Sequence, residues 1–313
     1  ALANLLGSVA PIFGILFLGF LARKIGALKT DCVEGLVAFV FNFAVHVLLF
    51  RSQAQAEMPD EIPFGFLAAF YGGSFGTYGL GMAVGRLVFR RPVDELAIFG
   101  MSSGFANTVM LGIPIVLTNF GEDASLPLFL IIAFHGAIFF PLTTIIIRLG
   151  RDMEVSVTRQ IWSAASELGG NPIIVGIVLG LLMNLAEIGL PGPLDTTASM
   201  LGAAAVPCAL FAMGASLAGY PLMGEITPAF WLVPLKLVAH PFLAWLIAVP
   251  ILGLEGMWVA VVVTMAAMPT GVMPYMFAAR YDAAPGVAAR SVFLSTLSSV
   301  VTISVVLYLL GAG

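Results

Sequence analysis

Charge is scarce in this chain. Lysine and arginine number 13 and aspartate and glutamate 17 among 313 residues, 10% in all, against roughly 25% in soluble domains. So few polar side chains cannot cover a water-soluble globule of that length, and the soluble class is excluded. Basic clusters with interleaved aromatics are also missing, which excludes nucleic acid as a partner. Cysteine is nearly absent: Cys32 and Cys208 fall in or beside apolar segments and offer neither a metal-ligand spacing nor a disulfide framework. No HExxH motif and no paired aspartates mark a hydrolytic or metal centre, so neither a metal nor a cofactor is expected. Asp and Glu are missing from the middle of every apolar segment, which argues against a carboxylate proton relay.

What is present is apolar. Hydrophobic residues make up 60% of the chain and its mean hydropathy is +1.06. Loops with charges, Pro and Gly divide it into ten apolar segments, at about 5–22, 32–51, 62–89, 94–119, 125–148, 171–189, 196–220, 227–252, 256–279 and 287–310. Each approaches or exceeds the ~20 residues that cross a hydrocarbon core, so the fold class is an all-α membrane protein. The first segment lacks a basic leader and is followed by Arg23 and Lys24, so it reads as a span and not a cleaved signal. Lys and Arg collect in alternate loops, at Arg23, Lys24 and Lys29, at Arg86, Arg90 and Arg91, at Arg148, Arg151 and Arg159, and at Arg280 and Arg290. The intervening loops are acidic, and Arg51 alone breaks the pattern in a loop. The positive-inside rule then puts the basic loops in the cytoplasm and both termini outside, in a multi-pass protein of the cell (inner or plasma) membrane.

The polar stretch "GRDMEVSVTRQIWSAASELGG" separates two sets of five segments, giving units 1–149 and 171–313 joined by a cytoplasmic linker at 150–170. Five is odd, so the second set must enter the membrane with inverted polarity, an arrangement found in transporters. The fourth segment of each set is interrupted. The first contains "GFANTVMLGIPIVL" and the second "MAAMPTGVMPYMF". Pro removes a backbone donor and Gly permits unwinding, and backbone groups freed within hydrocarbon survive only against protein or a wet cavity. A matched pair of such breaks points to a central binding site, where helix N-termini would suit an anion.

"NTVMLGIPIV", "AAMPTGVMPYMFAARY", "ARSVFLSTLSSVVTISVV", "VPCALFAMGASLAG" and "KLVAHPFLAW" together resemble the auxin efflux carrier family, in its bacterial malonate-transporter-like branch. The resemblance spans essentially the whole chain. It implies two inverted five-helix repeats with broken, crossing fourth and ninth spans. Spans one, two, six and seven would form a scaffold that usually dimerises, and the remainder would move as an elevator. The cargo it implies is a small organic anion, a mono- or dicarboxylate such as malonate or an auxin-like acid. Its carboxylate would sit at Asn107 and Thr108, at the groups freed around Gly112, Ile113 and Pro114, and at Pro269, Thr270 and Gly271. Asn42 would face it from the scaffold side. The chain departs from relatives at His46, where Pro is common, and in a third span without ionisable residues other than tyrosine.

Lys236 lies inside the eighth segment, and a charge there is a functional candidate by default. It would attract a carboxylate or stand in for a bound cation, with snorkelling or a bond to an unwound carbonyl as the structural alternatives. His46, His135 and His240 also fall inside segments, as packing residues or proton carriers. The coupling ion is left open between Na⁺ and H⁺. An anion channel or facilitator is the second reading. An intramembrane enzyme built on Ser216 ranks last, because no base lies identifiably within reach.

Overall fold

The computed structural model describes residues 2–56, 61–153, 172–220 and 225–311, with scattered positions between 156 and 170. About half of the linker at 150–170, and 57–60 of one acidic loop, lie outside the described residues. Everything regular is helical. Among the described residues no strand forms, and a single antiparallel bridge joins Ala106 to Thr270. Among the described residues, five helices are long and apolar enough to cross a membrane: Thr30–Gln55, Glu122–Gly150, Gly192–Leu217, Thr227–Ile251 and Pro285–Leu309.

Polarity runs opposite to that of a soluble protein. Thr227–Ile251 exposes Phe230, Trp231, Val238 and Phe242 while burying Lys236 and His240 completely. With lipid outside, apolar surface costs nothing there, whereas polar groups must find partners within the protein.

The helices sort into two packing groups. In the first, Leu2–Lys24 lies against Ala205–Leu217, and Val45–Gln55 lies against Pro172–Leu185 and Gly192–Ala203. The second gathers Gly65–Leu87, Val93–Gly104, Ser125–Gly150, Gly256–Ala267, Pro285–Leu309 and the segments of Thr227–Ile251. Backbones in the first group nearly touch: a Cβ on Gly214 would lie 1.8 Å from the Leu16 carbonyl oxygen, and one on Gly19 would lie 2.1 Å from that of Phe211. Such small-residue contacts let helices associate where lipid supplies no hydrophobic drive. Because backbone and not a movable side chain blocks the space, Gly214→Ala should lower the apparent melting temperature of the purified protein by roughly 5–10 °C. Gly14→Ala on the facing helix Leu2–Lys24, with nothing within 4 Å, should cause no such loss in a thermal-shift measurement.

Polar bonds join the two groups at one end. Ser52 Oγ donates to Glu122 Oε2 at 3.0 Å and Gln53 Nε2 to Ser125 Oγ at 3.2 Å. Beside them Arg51 pairs with Asp195 at 2.7 Å within the first group.

Candidate functional site

Two helices stop and restart near the centre of the structure. Val93–Gly104 ends before Asn107, and a wide π-turn at Thr108–Gly112 leads into Ile113–Phe120. Gly256–Ala267 ends before Pro269, and the chain becomes helical again at Met273–Tyr281. Between the stops both strands of backbone are extended and meet. Asn107 N–H donates to the Pro269 carbonyl at 2.8 Å, and Gly271 N–H to the Phe105 carbonyl at 3.2 Å. Two breaks thus satisfy each other's polar groups, as a water-poor interior demands.

Asn107 makes the turn itself. Its φ of −76° and ψ of 70°, with Thr108 N–H bonded to the Ala106 carbonyl at 2.9 Å, form an inverse γ-turn. Its side chain is 5% exposed, and among the described residues its only hydrogen-bond partner is a weak one, Nδ2 to Met213 Sδ at 3.5 Å. The Asn107 carbonyl accepts Gly112 N–H at 3.0 Å, which closes the π-turn.

A cavity of about 310 Å³ opens beside this crossing. Asn42, His46, Asn107, Thr108 and His135 give it a polar wall, and Phe41, Phe105 and Phe140 face them. None of its lining residues is charged. Val109 and Met110, in the first turn of Thr108–Phe120, line it, as does Met273 at the start of Met273–Tyr281. First-turn N–H groups have no partner within their own helix, and both helix starts carry a partial positive charge. A second hollow of about 460 Å³ shares Asn42 and His46 and continues past Val175 and Leu179.

Of the residues singled out from sequence, Asn42, Asn107, Thr108 and Gly271 line the cavity together. Gly112 ends the π-turn, and Ile113 and Pro114 open the helix that follows, all three buried. Pro269 supplies the carbonyl that Asn107 engages. Thr270 is a strut: its Oγ1 donates to the Ser102 carbonyl at 2.7 Å and its N–H to Ser295 Oγ at 3.0 Å. Lys236 stands apart from the lining and is wholly buried.

Sequence left His135 open, and its place is now specific. His135 Nε2 accepts Ala106 N–H at 3.0 Å, and Phe105 stacks on the ring at 4.2 Å between centroids. The ring must therefore be unprotonated at Nε2 and serves as an acceptor for backbone freed by the break. His46 lines both hollows. The aromatic wall of Phe41, Phe105 and Phe140 was not anticipated, and its only sequence trace was richness in phenylalanine.

Sequence comparison places the chain among membrane transport proteins. A family described as membrane transport protein matches residues 4–307. A protein of Rhizobium meliloti (strain 1021) named "Putative malonate transporter" is 28% identical over 313 residues, all of this chain and 98% of that protein. An "Uncharacterized transporter" of Methanothermobacter thermautotrophicus is 24% identical, covering 95% of each chain. The "Uncharacterized transporter YfdV" of Escherichia coli (strain K12) is 22% identical, covering 97% of this chain and 96% of that one.

Proposed function

The chain belongs to the membrane transport protein family, of the auxin efflux carrier type, and from that premise we propose that it is a secondary active transporter of small organic anions. The meeting of two interrupted helices beside an uncharged cavity supports this most directly. Freed N–H groups of Thr108–Phe120 and Met273–Tyr281 and the amide of Asn107 would bind the carboxylate. Thr108, Gly271 and Asn42 complete the contact surface. Gly112, Ile113, Pro114, Pro269 and Thr270 shape it from behind, with Lys236 as a further polar group of the same body. The cargo is a mono- or dicarboxylate such as malonate, in keeping with the name of the Rhizobium relative, or an auxin-like acid.

In this reading the chain spans the plasma membrane ten times in two inverted halves, 1–149 and 171–313, with both termini outside and the two breaks in spans four and nine. The first packing group is a fixed scaffold and the site of homodimer contact. The second carries the cavity past it as an elevator, a motion favoured by how few polar bonds join the groups. The coupling ion is Na⁺ or H⁺.

Counterflow in proteoliposomes tests the carrier. With unlabelled malonate inside, labelled malonate should accumulate transiently, and repeating the run with and without Na⁺ at two pH values identifies the coupling ion. Uptake that only equilibrates, without overshoot, would mean a channel; no uptake would remove malonate from the list of cargoes.

A further inference from the structure

Lys236 is among the largest completely buried side chains, yet no carboxylate among the described residues pairs with it. Its amino group donates to the Ala266 carbonyl at 2.7 Å and to His240 Nδ1 at 2.9 Å. A proton on His240 Nε2 then points at Ser74 Oγ, 2.9 Å away, and Ser74 passes its own to the Phe70 carbonyl at 2.9 Å. Two of the Lys236 N–H groups have acceptors in this row, and with the ammonium donating to Nδ1 the His240 proton falls on Nε2. It ties three helical elements together: Gly65–Leu87, Thr227–Ile251 and Gly256–Ala267.

The end at Ala266 is the one that matters. Gly256–Ala267 stops one residue later, and its last-turn carbonyls lose their helical donors inside the membrane. Three residues beyond Ala266 stands Pro269, whose carbonyl receives Asn107 N–H. Other carbonyls at the crossing are supplied by Thr270 and Gly271, but Ala266 depends on a side chain from another helix. The register of that helix is set for it. His240 N–H bonds Leu235 O, five residues back, so Leu235–Ala239 forms a π-turn that turns Lys236 and His240 inward together. Pro241 follows directly and has no N–H to restore the narrower ladder.

We propose that Lys236 is a positioning residue of the transport site: it grips the cut end of Gly256–Ala267 at Ala266, aimed by His240 and Ser74, and so holds Pro269–Gly271 where Asn107 and the cavity require them. This rests on the anion-carrier reading for its purpose, while the geometry it claims is measurable without any cargo.

Hydrogen–deuterium exchange in detergent-solubilised protein reads that geometry, comparing wild type, Lys236→Ala and the gentler Ser74→Ala. Protection of the Asn107 and Gly271 amides should fall about tenfold or more in Lys236→Ala and by a smaller factor in Ser74→Ala, with Pro285–Leu309 unaltered in both. Adding propylamine to Lys236→Ala should restore part of the protection, and equimolar propanol should not, because the lost group is a donor and not bulk. Unchanged protection at both amides, or equal rescue by propanol, overturns the proposal. Should Lys236→Ala fail to fold, unaltered protection in Ser74→Ala overturns it alone. Labelled-malonate binding to Asn107→Ala, measured alongside, reports separately on the carboxylate site, so a failed carrier reading is not confused with a failed strut.

Discussion

Asn107→Ala should weaken carboxylate binding by about 10- to 100-fold while leaving the melting temperature within a few degrees of wild type. The magnitude follows from hydrogen bonds to a charged group, worth about 1.5–3 kcal/mol each when the partner is lost. Stability should survive because the side chain holds little in place. Among the described residues its one hydrogen-bond partner is a thioether at 3.5 Å, and the crossing uses the backbone N–H, which alanine keeps. The φ and ψ of the inverse γ-turn are open to any L-residue. The amide lines the cavity with donors and an acceptor that the fold barely uses, which leaves them available to the proposed carboxylate. Isothermal titration with malonate, run beside a thermal-shift assay, separates the two effects. Equal affinity in variant and wild type would reject Asn107 as a ligand residue, and a collapse in melting temperature would make it structural.

Much of the fold could be read from the chain because lipid simplifies the code. Where apolar residues run for twenty or more positions, only a helix satisfies the backbone, and Thr227–Ile251 and Pro285–Leu309 fall within two residues of the segments expected at 227–252 and 287–310. The breaks were legible for a similar reason: Gly112 and Pro114 in one segment and Pro269 and Gly271 in the other have no business in an uninterrupted apolar helix. What stood next to the breaks was not legible. Phe105 and Phe140 face the cavity whereas Phe17 and Phe230 face outward, and among 24 phenylalanines nothing local distinguishes them. The π-turn at Leu235–Ala239 shifts the helix by a single residue, too little to appear in composition, yet it decides that Lys236 meets Ala266 and not the cavity. The role of His135 as acceptor for Ala106 N–H depends on a turn that no spacing rule encodes.

Gly271→Ala should abolish transport more completely than it destabilises the protein. Its added methyl would lie 2.9 Å from Phe105 Cδ1 and 3.2 Å from the Ala106 carbonyl oxygen. Either the ring or the extended backbone must move, and neither is free. Phe105 is stacked on His135 at 4.2 Å and flanked by Phe140 at 5.6 Å, while Ala106 is held by His135 Nε2 through its N–H and bridged to Thr270. Relief by rotating Phe105 would push the ring into the 310 Å³ cavity it lines, removing space for cargo. Relief by parting the backbones would stretch the Gly271 N–H to Phe105 carbonyl bond, already 3.2 Å, and move the helix starts proposed to face the carboxylate. Overpacking of this kind costs about 1–3 kcal/mol in stability, enough to lower a melting temperature without unfolding the protein. Both routes strike the site directly, so counterflow should drop below detection while the variant still purifies as a folded species. Normal transport by Gly271→Ala would show that the crossing tolerates displacement, and that cargo binds elsewhere.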